Sequence, residues 1–422
     1  MPLSSSVSAF SRVTALAAKR SIHAAFAWLH GNAKTILDWQ TELCAIPAPP
    51  FGEKARSEWL AARFREIGLE NTETDGVDNV LAFLPEPHLG PDHTGHIVVL
   101  SAHLDTVFPG GTPLQPVVHL VDGADRLEAP GACDNAAGVV GIMAIARALV
   151  HSGAQFPASL LFLGNVGEEG EGDLRGVRHL YQQKALAGRI AAHIVLDGSG
   201  ADSAVTQALG SRRYQATVSG PGGHSFTDAG TPNPITALAS ALATLAATPL
   251  PEDPRTTLNL GTLHGGTSVN SIPENAAATV DFRSTSADEL QRLEVALHRA
   301  VEDAVDHWNA RVAPAMRGRG LLTYRIDLIG NRPAAQLSDS SPILEALRAV
   351  DRHLGLPASV RLGSTDANIP ISLGVPALSL GAGGEGGGAH TLGEWYSTKN
   401  RELGLRRILL LTAAMLEWAA EQ

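Results

Sequence analysis

The sequence predicts an α/β protein with a central mixed, largely parallel sheet, interrupted by a smaller inserted α+β domain. Three observations carry this. Short continuous apolar runs at residues 80–84, 97–100, 160–163, 194–196 and 377–380 read as strands buried on both faces. Helical patterns alternate with them, at 136–150, 177–186, 343–353 and 403–418. The stretch 213–329 follows a different order of elements.

Taken in chain order, Phe26, Leu29, Ile36, Leu37 and Leu43 recur at helical spacing over 24–46, and Pro47, Pro49 and Pro50 end that pattern. A further helix is expected over 58–67, before the first strands. From residue 213 the pattern runs strand 214–219, helix 234–247, strand 256–263, strand 276–282, helix 287–310 and strand 321–328. That β-α-β-β-α-β order is the ferredoxin-like arrangement. The expected division is therefore 1–212 with 330–422 as one domain and 213–329 as the insertion. No internal repeat occurs, and only 381–388 is of low complexity.

Composition narrows the function. At 422 residues the chain suits two or three domains of about 150 residues each. Apolar residues make up 44%, ample for a large core, while charged residues at 18% fall below the usual quarter or so, which suggests surface buried by self-association. Lys and Arg number 32 against 43 Asp and Glu, a net charge of −11, with no basic cluster to track a phosphate backbone. Nucleic acid is not an expected partner. Cys44 and Cys133 are the only cysteines and form no Cys-x-x-Cys pair, so a disulfide framework is excluded and a reducing compartment fits. Arg12, Lys19, Arg20, His23 and His30 interrupt the first apolar stretch, and no run of about 20 apolar residues follows. The expectation is a soluble cytoplasmic protein without a membrane partner.

Five places pair a metal-capable side chain with the end of an apolar run or a glycine-rich loop. His103 and Asp105 lie two apart after the run 97–100, so they point the same way on an extended backbone, and the acid could orient the imidazole. Taken alone, His-x-Asp at a strand end is ordinary. Asp134, in the small-residue loop 129–138, has two readings: N-cap of the helix that follows, or a carboxylate with both oxygens free to bridge two ions. Glu168 and Glu169 follow a buried strand between glycines. Adjacent carboxylates repel unless a cation lies near, so one could bind a metal while the other serves as general base. Asp197 ends the run 194–196, and His390 closes the glycine-rich loop 381–390, with Glu394 beyond it. A lone loop histidine is usually idle. Together the residues make a mixed N and O ligand inventory for two metals.

In this order (His-x-Asp, Gly-x-x-Asp, Glu-Glu, strand-end acid, late His) the chain resembles the M20 family of metallopeptidases from about Trp39 to its C-terminus. That family includes aminoacylases, glutamate carboxypeptidases, succinyl-diaminopimelate desuccinylases, dipeptidases and tripeptidases. The resemblance implies a zinc-peptidase-type catalytic domain with an inserted lid and dimerisation domain. It implies that His103 and Asp197 hold one metal, that Glu169 and His390 hold the other, and that Asp134 bridges them. Glu168 would be the general base, Asp105 would orient His103, and a cis peptide would follow Asp134. The metals would be two divalent ions, zinc by default, with manganese or cobalt as alternatives.

Within the insertion, the run 219–225 resembles the lid motif whose histidine, here His224, reaches a neighbouring subunit's site and stabilises an oxyanion. The segments around Asn270 and Arg283 resemble those that bind substrate carbonyl and carboxylate groups, a task suited to the arginine fork. By itself Arg283 would read as an ordinary strand arginine, and His264 as structural. Asn135 departs from the Lys or Asp of some relatives. Asp197 stands where deacetylases and carboxypeptidases of the family generally have Glu, while its aminopeptidase-like, dipeptidase and tripeptidase members have Asp. The expected substrate is a short peptide with a free amino terminus, or else an N-acyl amino acid. A homodimer formed through the lid is expected, and a catalytically silent binding relative is the non-enzyme alternative.

Overall fold

The buried apolar runs form the middle of one large mixed sheet in a computed structural model, which describes residues 3–85, 95–357 and 359–422. The chain divides into two units, Met1–Ala208 with Gln336–Gln422, and Leu209–Ala335. The middle of the first unit's sheet runs Val80–Leu84, Ser159–Asn165, Ile97–His103, Ile190–Leu196, Ala377–Leu380. Ile97–His103 is parallel to both neighbours, and Ala377–Leu380 is parallel to Ile190–Leu196, whereas Val80–Leu84 is antiparallel to Ser159–Asn165. All seven residues of Ile97–His103 are buried, which explains why the run shows no alternation.

Helix Ala136–Ser152 is buried at every position from Ala136 to Ala146, so it is apolar all round rather than amphipathic. Its small residues allow close approach. A β-carbon on Gly138 would stand 2.7 Å from the Leu196 carbonyl oxygen. Helix Arg401–Ala419 is tied to helix Pro342–Leu354 by a fully buried pair. Arg407 Nε and Nη2 donate to the two Asp351 oxygens at 2.6 and 2.8 Å, and Nη1 donates to the Ser203 carbonyl at 2.8 Å.

Several segments differ from expectation. The helix expected over 177–186 is divided at extended Gln183 into Arg175–Gln182 and Lys184–Ala187. Two further differences are larger. The helix expected over 24–46 is two helices, Arg20–Gly31 and Ala33–Cys44, preceded by Leu3–Ala17. Asn32 leaves helical geometry, with φ −118°, and its side chain caps the first helix by donating to the Trp28 carbonyl at 2.8 Å. The apolar spacing continues across the break because both helices bury residues, among them Trp28, Leu29, Ile36 and Leu37. The second difference is a four-stranded antiparallel sheet formed by Val117–Val121, Ala124–Glu128, Trp395–Ser397 and Glu385–Gly387. Its strand Val117–Val121 is exposed at all five positions, so no burial pattern marked it. No helix among the described residues is long and apolar enough to cross a membrane.

The second unit is an antiparallel sheet in the order Thr256–Gly265, Asn275–Ser284, Gly210–Ser219, Thr323–Arg332. Helices Pro234–Ala246 and Ala287–Ala310 pack on it, giving the ferredoxin-like β-α-β-β-α-β order. Alternation is clean in Asn275–Ser284, where Ala276, Ala278, Val280 and Phe282 enter the core. The helices start where side chains can cap them: Asn233 Oδ1 accepts the Ile235 N–H at 2.9 Å, and Ser286 Oγ accepts the Glu289 N–H at 3.3 Å.

Removing one member of the buried Arg407–Asp351 pair strands the other. Arg407→Met is expected to lower the unfolding free energy by about 3–5 kcal/mol, and adding Asp351→Leu should recover most of the loss. Urea unfolding of both variants checks this; equal losses in the single and double variants would assign the effect elsewhere.

Candidate metal centre

The parallel register brings four strand ends to one edge. His103 lies opposite Asn165, and Leu196 opposite Leu380. From Ile97–His103 the chain crosses through helix Ala136–Ser152 to the strand on one side, then returns to Ile190–Leu196 on the other. Such a reversal of strand order opens a crevice at the carboxyl ends of the strands. His103, Glu168, Glu169 and Asp197 end or follow these strands, and the loop after Ala377–Leu380 carries His390.

Six of the expected site residues meet there. His103, Asp134 and Asp197 bring ligand atoms within 4.8 Å of one another, as do Asp134, Glu169 and His390, and also His103, Glu168 and Glu169. Asp134 divides its oxygens, with Oδ1 3.0 Å from His103 Nε2 and Oδ2 3.1 Å from His390 Nε2. His390 Nε2 is also 3.1 Å from Glu169 Oε1, and Asp197 Oδ1 lies 3.9 Å from His103 Nε2. The Asp134–Asn135 peptide is cis.

Buried carboxylates hold the backbone around these side chains. Asp105 accepts the N–H groups of Glu168 and Glu169 at 2.9 and 2.7 Å. His103 Nδ1 donates to the Asp105 backbone carbonyl at 3.0 Å, closer than the 3.5 Å to its carboxylate. The acid expected to orient His103 thus grips the adjacent glutamates more closely. Glu394, for which sequence reading found no role, accepts the N–H groups of Gly131, Cys133 and Asp134 at 2.8, 2.7 and 2.7 Å. Its only sequence signal is an acid four residues after His390.

Of the two readings of Asp134, the cap is ruled out by its neighbour. Asn135 is the N-cap, its Oδ1 accepting the Gly138 N–H at 3.1 Å and the Gly198 N–H at 3.2 Å, while its Nδ2 donates to the Leu196 carbonyl at 2.8 Å. Asp134 keeps both oxygens for the imidazoles. Asn79, also unforeseen, accepts the Val166 N–H at 3.1 Å and so fixes the strand end before Glu168. Beneath the site, Asn165 Nδ2 donates to buried Asp366 at 2.6 Å.

Electrostatics show what such a cluster needs. Burial disfavours a charged imidazole at His103, yet hydrogen bonds to Asp105, Asp134 and Asp197 hold its pKa well above the ordinary value. His390 is raised too, first by its hydrogen bond to Asp134. Burial pushes the Asp134 carboxyl up, but the two imidazoles more than reverse that, whereas burial leaves Glu169 raised. The carboxylates favour the protonated, positively charged form of both imidazoles, a demand for positive charge that a cation would also meet. Two donor sets of mixed N and O atoms, joined by one carboxylate, fit two divalent ions, whose binding would release those protons.

The other three expected residues lie in the second unit. His224 and Asn270 are neighbours: Ser225 N–H donates to the Asn270 carbonyl at 3.0 Å. His224 Nδ1 accepts the N–H groups of Phe226 and Thr227, both at 3.2 Å, which leaves Nε2 as the protonated nitrogen. Arg283 is not with them. It sits near the far end of strand Asn275–Ser284, its Nε donating to Asp281 at 2.8 Å.

Residues 99–414 match the model of peptidase family M20/M25/M40. The uncharacterized protein YqjE of Bacillus subtilis (strain 168) is 24% identical over 408 residues, covering 92% of this chain and all of that one. A succinyl-diaminopimelate desuccinylase of Burkholderia mallei (strain SAVP1) is 27% identical over 287 residues, 64% of this chain and 74% of that one. Among solved structures, a tripeptidase (SAV1512) from Staphylococcus aureus subsp. aureus Mu50 superposes with a TM-score of 0.70 at 20% identity, covering 93% of this chain and 99% of that one.

Without Glu394 the Asp134 loop loses three hydrogen-bond acceptances. Glu394→Ala is expected to keep the fold while weakening metal binding by about 10–100-fold. A competition titration with a chromogenic chelator measures this, and unchanged affinity would show that the grip is dispensable.

Proposed function

The chain belongs to peptidase family M20/M25/M40, hydrolases of peptide and amide bonds, and from that premise we propose that it cleaves short peptides bearing a free amino terminus. The observation that carries this reading is the pair of ligand sets sharing Asp134. His103 and Asp197 would hold one divalent ion, Glu169 and His390 the other, with Asp134 common to both. Bound there, the ions, zinc by default and manganese or cobalt otherwise, would supply Lewis acidity toward an amide carbonyl and toward water.

The chain's own groups would move the proton and place the substrate. Glu168 is buried beside His103 and Glu169, its backbone held by Asp105. It would take a proton from the attacking water and deliver it to the leaving nitrogen. His224 presents Nε2–H, the donor that a developing oxyanion requires. Asn270 would contact a substrate carbonyl and Arg283 a substrate carboxylate. Within one chain about 25 Å of extended strand separates the Asn270 end from Arg283, too far for one small substrate to touch both. That distance supports a homodimer in which the His224–Asn270 end serves the partner's site. The lid's edge strand Thr256–Gly265, with Leu260 and Leu263 exposed, supports the same assembly. Buried, unpaired Cys44 and Cys133 suit a cytoplasmic location.

Asp197 favours a free-peptide substrate, by the family pattern described above. The second reading is an N-acyl-amino-acid deacylase, favoured by the likeness to the desuccinylase. Both would use the same centre, and they part on the amino terminus of the substrate.

Metal analysis of the purified protein should find about two ions per chain, and a panel of dipeptides, tripeptides, N-acetyl and N-succinyl amino acids should be cleaved among the free peptides. Deacylation alone would overturn the substrate reading; a metal-free, inactive protein would overturn the hydrolase. Glu168→Ala should retain its metals yet lose about 10²–10⁴-fold in turnover. His224→Ala should lose about 2.7–4 kcal/mol of transition-state stabilisation, again with metals retained. Near wild-type turnover in either variant would remove that residue from the mechanism.

A further inference from the structure

One turn beside the centre carries a residue that is unfavourable for the fold on two counts. Gly52 N–H donates to the Pro49 carbonyl at 2.8 Å, closing a four-residue turn with Pro50 in its second position. The third position has φ 67°, and Phe51 occupies it. Glycine or asparagine normally sits there, because a β-carbon crowds the backbone in left-handed geometry. The ring is also 64% exposed, so it returns little apolar burial. Local costs that stability does not repay concentrate at functional positions.

The surroundings of the turn tie it to the catalytic segments. The Ala48 carbonyl accepts the Thr106 N–H at 2.8 Å, one residue beyond Asp105. Against the Phe51 ring stands the Arg175 guanidinium, 5.0 Å from the ring centroid. Arg175 is itself fixed: Nη2 pairs with buried Glu53 at 2.9 Å, and Nη1 donates to the Val77 carbonyl at 2.9 Å. Its N–H donates to the Gly167 carbonyl at 3.1 Å, and a β-carbon on Gly167 would stand 3.1 Å from Arg175 Nε. Gly167 directly precedes Glu168. The loop of the general base, the guanidinium and the exposed ring therefore form one stack.

We propose that Phe51 is a specificity determinant, its ring receiving a large apolar side chain, above all an aromatic one, from a residue flanking the amide to be cleaved. A ring whose plane is already set by the guanidinium loses little freedom when a second ring or a branched side chain packs on it. The inference rests on the substrate reading above, and binding rather than turnover is what tests it.

Calorimetric titration of zinc-loaded protein carrying Glu168→Gln, with and without Phe51→Gly, would compare Phe-Gly, Gly-Phe and Gly-Gly. Glycine suits the positive φ, so Phe51→Gly should fold with a melting temperature no lower than that of the parent. At least one phenylalanyl dipeptide should bind about five-fold or more tighter than Gly-Gly, and Phe51→Gly should bring that ratio below about two-fold. The same ratio in both proteins, including no binding in either, overturns the inference, as does a loss shared equally by all three dipeptides. Hydrolysis of the same peptides by the Glu168 form is followed in parallel. Ring-dependent binding without hydrolysis would sink the free-peptide reading and leave the Phe51 subsite standing.

Discussion

The centre depends on one kind of interaction, a buried carboxylate accepting several backbone N–H groups. Asp105 holds the two glutamates after one strand, and Glu394 holds the loop that presents Asp134. Neither loop has regular secondary structure to fix it, so its N–H groups would otherwise need water or side chains. A carboxylate satisfies several at once, and charge-assisted bonds of this kind are roughly twice as strong as neutral ones. The cost is more negative charge under an already acidic site. That charge is offset by the imidazoles His103 and His390, and it favours any divalent cation that approaches.

Topology explains why acids accumulate there at all. Four parallel strands deliver their carboxyl ends to one edge, and the chain reverses its direction of travel across the sheet at Ile97–His103. Short loops after Asn165 and Leu196 then need carry only a few residues to put Glu168, Glu169 and Asp197 around His103. The close helix–sheet contact at Gly138 sets the start of helix Ala136–Ser152 against the end of strand Ile190–Leu196, which places Asp134 beside the same crevice. Packing in the core and ligand geometry at the edge are set by the same contacts.

Much of this was legible in the sequence, for a physical reason. Strands buried on both faces leave continuous apolar runs, and a metal-capable residue at the end of each marks the edge they share, so His103, Glu168, Glu169 and Asp197 could be picked out. What escaped notice had partners far away in the chain or no burial to betray it. Glu394 acts on amides at 131–134, and backbone donors carry no residue signature. Val117–Val121 is exposed at every position, and its sheet depends on Trp395–Ser397. Asn135 looked like a departure from family pattern, yet it is the cap that frees Asp134 from that duty. The helix break at Asn32 hid because apolar spacing survives a turn when both halves face the same core.

The carboxylate grip of Glu394 also has a consequence for how the protein is made. The residues His103 to Asp197 leave the ribosome well before the unit Leu209–Ala335 has been synthesised, and Glu394 follows only after that unit. Until then the Asp134 loop has no acceptor for its three amides, and His390 has not been translated. The inserted unit has its own hydrophobic core and local strand pairings, so it can fold during that interval. Maturation of the centre is thus a late event in biosynthesis, coupled to the arrival of the His390–Glu394 segment rather than to the strands that carry most of its acids.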